Sequence, residues 1–529
     1  MDTPTFGTAA VAAPHDLATR TGVAILAQGG NAIEAMVAMA ATIAVVYPHM
    51  NAIGGDGFWL VADPKRRVHY IDAAGTAGSG ATIRAYRDRG HETIPPRGAE
   101  AVITVPGTVD GWRQALDMAK AFGGRLPLDI LLADAIRHAR DGASVAPSMA
   151  RADLLAEEDL MAAPGFRQTF TTEGRLLKAG ETLRQPALAA TLEQLAHAGL
   201  RDFYAGDVGR EMGKDLEAIG APVTRADLSG YEARFGTALR LTLDGCAVHL
   251  TPPPTQGVAT GITIGLFERL GVRTPESFEH IHGLIESIKK ATLVRERIVT
   301  DPARMVEDPA RYLTDRFLGA NAAAISLREA AATPTLTADG GTIWMGAIDA
   351  SGLAVSMIQS VFWDYGSGVV LPATGVLMHN RGRGFSLDPA SLNAMEPGRK
   401  PFHTLNPAMA LFDDGRVMPF GTMGGDAQAQ ILGQFFSRYR LGHSLASAID
   451  APRFRLARPW NGGAMRLDVE NRFDDTVLRR LERVGHPVVM IGEAYSDELG
   501  HTGALVRHPA NGRVEAMHDP RSDGGALGL

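Results

Sequence analysis

Apolar positions along the chain follow two periods. From Asp16 to Val46 they recur every three or four residues, which predicts two helices separated by the Gly29-Gly30 turn, with Asp16 placed to cap the first. The same spacing predicts helices within 107–141, 186–220, 261–270 and 278–299. Short alternating or continuous apolar runs predict strands at Phe58–Ala62 and Val68–Ile71, joined by a D-P-K-R-R turn, and a strand-like run at Arg240–Leu250. Residues 301–341 hold short helical pieces and then A-A-A-T-P-T-L-T-A-D-G-G, which reads as an exposed linker ending at Gly341. Past Thr342 strands dominate, at 343–349, 353–361, 407–413, 416–420 and 502–517, with helices near 426–439, 443–450 and 475–484. Strands alternating with helices predict an α/β (α+β) fold in which helices cover sheets. There is no internal repeat.

Composition narrows the function more than the fold. The 529 residues exceed one ordinary core, and 45% hydrophobic with 21% charged residues is the balance of a soluble globular protein. A net charge of -7 argues against a nucleic-acid partner, which needs a basic face. The single cysteine, Cys246, excludes an intramolecular disulfide and reads as a small buried hydrophobe. The opening M-D-T-P-T-F-G has no basic n-region, and the apolar stretch Asn31–Val46 carries Glu34 and is too short for a bilayer. A cytoplasmic protein with no membrane partner is therefore expected. His280 and His282 are two apart and do not share a helix face, and neither H-E-x-x-H nor C-x-x-C occurs, so no metal is expected. The run Gly54–Gly57 is not a phosphate loop, because no G-K-[ST] follows it.

The richest position for chemistry is Thr342. It follows Gly340-Gly341 and opens an alternating run at the end of the linker. Scission before it would expose a threonine hydroxyl beside its own free α-amine, a nucleophile and a base in one residue. The competing reading is an ordinary threonine at the first position of a strand.

Seven ordered blocks then resemble the γ-glutamyltranspeptidase-type proenzymes of the N-terminal-nucleophile (Ntn) hydrolases. They are A-V-A-A-P-H from Ala10, G-G-N-A-I-E-A-M-V-A from Gly29, P-H-M-N-A-I-G-G-D-G-F from Pro48, V-P-G-T-V-D-G-W from Val105, P-P-P-T-Q-G from Pro252, G-T-M-G-G from Gly421 and D-P-R-S from Asp519. The resemblance implies a four-layer αββα sandwich of the Ntn-hydrolase type, without metal or organic cofactor. One precursor would be cut into a large chain, 1–341, and a small chain, 342–529. The two would form one intertwined domain, a heterodimer of self-cleaved chains, with a dimer of heterodimers as the larger assembly. By the same resemblance Gly341-Thr342 is the cleavage site, Thr342 the nucleophile, and Gly424 and Gly425 the oxyanion donors. Ser360 would orient the Thr342 amine or hydroxyl, or be an ordinary polar residue on a strand face.

Departures from the family pattern bear on the substrate. Ala74 stands where an arginine grips the α-carboxylate of γ-glutamyl compounds, and Gly384 where an aspartate grips the α-amine. A serine pair becomes His403-Thr404, an asparagine becomes Phe362, and Asp56 replaces a glycine. The charges that read a zwitterion are gone, while Arg381, Arg383 and His403 are gained. The two arginines read either as substrate-binding groups or as structural ion-pair partners, and Trp344 and Trp363 as apolar walls. The expectation is an amidohydrolase for a small anionic amide without an amine, of the oxamate type. A γ-glutamyl or glutaryl amide hydrolase or transferase is the alternative. An uncleaved, non-catalytic binding protein is the alternative from another class.

Overall fold

The structure, a computed structural model, describes residues 2–150, 158–334, 340–458 and 463–529. Two seven-stranded sheets face each other, each covered on its outer side by helices. This is the four-layer αββα sandwich expected from the sequence.

Strand Gly341–Ile348 shows why the pattern folds this way. Ile343, Met345 and Ala347 join the core under helix Ala32–Val46, while Trp344 and Ile348 enter the core between the sheets. A strand buried on both faces reads as a continuous apolar run. Trp344 thus belongs to the inter-sheet core rather than to a pocket wall. Its indole N–H donates to Ser356 Oγ at 2.9 Å, and its ring occupies a slot bounded by three glycines. A Cβ on Gly421 would come within 1.9 Å of that ring and one on Gly503 within 2.2 Å.

Chain order and sheet order differ. Strand Ala354–Phe362 pairs antiparallel with Gly341–Ile348 on one side and with Asp56–Ala62 on the other. In the second sheet Cys246–Leu250 pairs with Ala408–Phe412, and Thr5–Phe6 with Val514–His518. Strands from before and after Gly341 therefore interleave in both sheets.

The apolar helix Ala32–Val46 contains one acid, Glu34, and its place is local. Asn31 caps the helix, and Glu34 accepts from the Asn31 N–H and, through its other oxygen, from Arg125 and Leu126 N–H. Cys246 is buried, which pushes its thiol up to about 11, in keeping with a packing role. The run 239–250 is a hairpin rather than one strand, with Asp244-Gly245 at its turn. A third sheet, of strands Phe454–Ala457, Arg466–Glu470 and Val488–Ile491, was not expected. The 335–339 part of the predicted linker lies outside the described residues; 326–332 is largely exposed.

Candidate active site

Thr342 is buried where its strand leaves register with Ala354–Phe362, between the pairs formed by Gly341 and Ile343. The Thr342 hydroxyl lies 2.6 Å from the Gly341 carbonyl oxygen and 3.1 Å from Ser360 Oγ. The Ser360 hydroxyl donates to the same Gly341 oxygen at 2.6 Å and accepts from the Phe362 N–H at 2.8 Å. Because Ser360 Oγ receives that N–H, its own proton is directed at the Gly341 carbonyl. Phe362, opposite Gly341 in the ladder, has φ 82, a conformation costly for a side chain of this size.

The Phe362 ring carries a guanidinium. Arg381 sits with its Cζ 3.9 Å from the ring centroid, in the turn Arg381–Gly384, and is 2% exposed. Its Nη1 reaches Thr404 Oγ1 at a long 3.4 Å, and its enclosed Nη2 has no hydrogen-bond partner. Burial pushes Arg381 down to about 9, with Asp56 and Asp426 pulling it back up, so it is a cation at neutral pH. A buried cationic donor without an acceptor is expensive unless an anion completes it.

A hydrogen-bonded bridge carries the site onward. Gln256 Nε2 donates to the carbonyls of Thr404 and Gly425, both at 2.8 Å, and its Oε1 accepts from Arg295 at 3.0 Å. Arg295 also lies 3.4 Å from Asp426. Gly424 and Gly425 adopt φ 124 and φ 51 at the entry to helix Gln428–Arg440. The first of these is strained for any residue but glycine. Gln256, from the P-P-P-T-Q-G block, thus connects Thr404, beside Arg381, to the glycine pair.

His403 does not stand free. Its Nε2 meets Asp56 Oδ2 at 3.2 Å, its Nδ1 accepts weakly from Leu405 N–H, and its ring packs edge-on to Phe58. Burial and then Arg381 push His403 down to about 3, so it is a neutral imidazole. Asp56 also lies 3.2 Å from His379 Nδ1 and accepts from Gly75 and Gly107 N–H. Burial would raise the Asp56 carboxyl; His379 and His403 outweigh it and hold the group well below the usual carboxylate range. Arg383 donates to the Ile94 carbonyl at 2.6 Å and stacks on Trp363, contacts with a backbone group and a ring in place of the expected ion pair. At Gly384 a Cβ would approach the Phe402 carbonyl oxygen to 2.5 Å, so the backbone is closed to a side chain there. Ala74 lines a separate cavity of about 1140 Å³ with Tyr70, Asp72, Val105, Pro253 and Lys400.

A sequence model of the family described as Gamma-glutamyltranspeptidase matches residues 18–529. The chain belongs to the γ-glutamyltranspeptidase family. It is 45% identical to the oxamate amidohydrolase proenzyme of Klebsiella pneumoniae, over 98% of this chain and 97% of that one. It is 35% identical to a glutathione hydrolase-like proenzyme of Bacillus subtilis, over 98% of each. The crystal structure of a cephalosporin acylase from Bacillus halodurans superposes with a TM-score of 0.91 at 30% identity, covering 100% of this chain and 97% of that one. Like its relatives, this γ-glutamyltranspeptidase-family chain is a hydrolase acting on C–N amide bonds.

Within the family frame, the structure brings Thr342, Ser360, Arg381 and Thr404 together around Gly341 and Phe362, and ties Gly425 to them through Gln256. The sequence reading missed Gln256, Arg295 and His379 and left Asp56 without a role. The glutamine inside a recurrent proline-rich block was the one usable signal. His379 precedes N-R-G-R directly, yet nothing in its neighbours foretells Asp56.

Proposed function

We propose that the chain cuts itself between Gly341 and Thr342 and that the freed Thr342 then hydrolyses a small anionic amide, oxamate first, to oxalate and ammonia. The observation that carries the first half is the pair of hydroxyls on the Gly341 carbonyl. In the precursor, Thr342 Oγ attacks the Gly341 carbonyl carbon and its proton passes to Ser360 Oγ. Ser360 gives its own proton to the carbonyl oxygen. Collapse breaks the C–N bond as the proton on that oxygen passes to the Thr342 nitrogen, which becomes an amine, and water opens the resulting ester.

In the mature site the α-amine takes the proton from Thr342 Oγ as it attacks the substrate carbonyl. The Gly424 and Gly425 N–H groups hold the developing oxyanion, ammonia leaves, and water releases the acid from the acyl-threonine ester. Arg381 Nη2, enclosed and unpaired, supports a carboxylate on the substrate. The 45% identity to an oxamate amidohydrolase proenzyme supports oxamate in particular. The γ-glutamyl alternative is disfavoured by the side-chain-free backbone at Gly384.

A denaturing gel of purified protein tests the cut, with two bands expected for the wild type and one for Thr342→Ala. Ammonia release from oxamate, glutamine and a γ-glutamyl anilide tests the substrate. Faster turnover of either glutamyl compound would discard the oxamate reading.

A further inference from the structure

Away from this site, one buried polar cluster joins the two halves of the chain. His282, Glu286 and Lys289 lie on helix Phe278–Ile298, spaced so that they share a face, and His486 follows helix Asp475–Arg483. All four are at most 3% exposed. Lys289 Nζ pairs with Glu286 Oε1 at 2.8 Å, and His486 Nε2 lies 2.7 Å from His282 Nδ1.

His282, Glu286 and His486 have the composition of a metal site, but the contacts favour another occupant. His282 Nε2 donates to the Ser326 carbonyl at 2.9 Å, so its Nδ1 is the acceptor for the His486 N–H. The Lys289 ammonium already occupies the Glu286 oxygen that faces His486. The free valences of Lys289 and Glu286 go to one stretch of backbone, which also bonds to the small-chain side. Lys289 Nζ donates to Ala331 O at 2.6 Å, Glu286 Oε2 accepts from Ala331 N–H at 3.2 Å, and Ala330 N–H donates to Val484 O at 2.9 Å.

We infer that this cluster is a docking seat for the chain's own segment 326–331, and that it keeps the tail of the large chain bound to the small chain after scission. The inference rests on the self-cleavage reading for its second half only. The seat is built from both sides of the cut: His282, Glu286 and Lys289 precede Gly341, while Val484 and His486 follow it.

Magnitudes separate retention from catalysis. Counted along the chain, eighteen residues run from the end of helix Asp315–Ala323 to Gly341, and ten from 332. Loop-closure scaling makes that worth only about 2.4-fold in the chance of presenting the scissile bond. Scission geometry is set beside Thr342 by Ser360, so the seat changes where the tail stays more than how fast it is cut. Ten residues past Ala331 can reach at most about 35 Å.

Hydrogen exchange on the peptide covering 326–331 tests this in the Thr342→Ala single chain and in the mature enzyme. Equal protection in both is expected. Protection is expected to be lost in Ala331→Pro, which removes the N–H that Glu286 accepts and restricts Ala330, and in Glu286→Gln. Lys289→Arg, which keeps the cation, should retain it. Hydrolysis per mole of mature enzyme should be unchanged in Ala331→Pro, because the seat lies away from the active site, and scission should change by no more than about 2.4-fold, the scale of the loop term. Protection that disappears on maturation of the wild type would overturn retention. An unprotected single chain would overturn the seat itself. One equivalent of zinc bound to purified enzyme and lost in His486→Ala would also overturn it, because a metal there displaces Lys289. Wild-type protein that stays one chain would instead refute self-cleavage, and its exchange pattern would still decide the docking.

Discussion

The hydroxyls of Thr342 and Ser360 converge on one carbonyl oxygen, that of Gly341, each at 2.6 Å. One belongs to the proposed nucleophile and the other polarises the bond it attacks. Ser360→Ala leaves the nucleophile in place but removes the second donor and the proton route. Scission is expected to slow on the order of 10²–10³-fold, the usual cost of one lost oxyanion donor. A time course of the two bands in freshly translated protein measures it, and Ser360→Thr should recover part of the rate.

Arg381→Ala is expected to raise KM for oxamate by about 10–100-fold, the equivalent of a charged hydrogen bond worth about 1.5–3 kcal/mol. An uncharged amide of similar size should be affected far less. Steady-state kinetics on both substrates checks this. Equal losses on the two would mean that Arg381 supports the fold rather than the carboxylate.

The pH profile of kcat/KM should be a bell. The Thr342 α-amine acts as a base only when unprotonated, so activity rises through its ordinary range of about 7.7–8.0. Arg381 holds an anion only when protonated, and burial brings it down to about 9, so activity falls as pH passes that value. The alkaline limb should move down in Arg381→Lys, because a lysine starts nearer about 10.4 and the same burial lowers it, and disappear with a neutral substrate.

Gly424→Ala and Gly425→Ala should differ. A side chain at φ 124 is strained, and a Cβ on Gly424 would also meet Ile431 at 3.0 Å. At φ 51 alanine is tolerated at a cost of about 1 kcal/mol. Turnover should therefore drop by about 10²-fold or more in the first variant and much less in the second. Intact two-chain protein in both makes the comparison one of the mature site.

Gln256→Ala leaves the carbonyls of Thr404 and Gly425 without their common donor. An unmet buried acceptor costs about 1–3 kcal/mol, so a fall in Tm is expected together with a loss of kcat. Gln256→Glu, which keeps the length but loses the donor, should resemble alanine.

Layers, helices and the inner strands were legible because they are buried on one or both faces and carry periodicity into the sequence. Gly525–Gly528 carries almost none: an edge strand contributes hydrogen bonds and little side-chain packing. Arg466–Glu470 mixes charge with apolar residues because Asp468 and Glu470 are met by Arg455, Arg472 and Arg521 inside the fold. In the site, Thr342 stood out only through its setting between linker and strand together with the seven ordered blocks, since a glycine pair before a threonine says little alone. The state of His403 was not, because its partner Asp56 lies 347 residues away. Arg381 and Arg383 look alike in N-R-G-R; only the ring beneath each and the acceptor beside it distinguish them.

The interleaved strands make the proposed cut thermodynamically consequential without altering the fold. The uncut chain finds its sheets as one molecule, at a rate independent of concentration. Once bond 341–342 is gone, strands 56–62 and 354–362 belong to different molecules. Unfolded mature enzyme would then have to reassemble by collision, as a second-order process. Its recovery from heat or denaturant should fall with dilution, while that of the Thr342→Ala precursor should not.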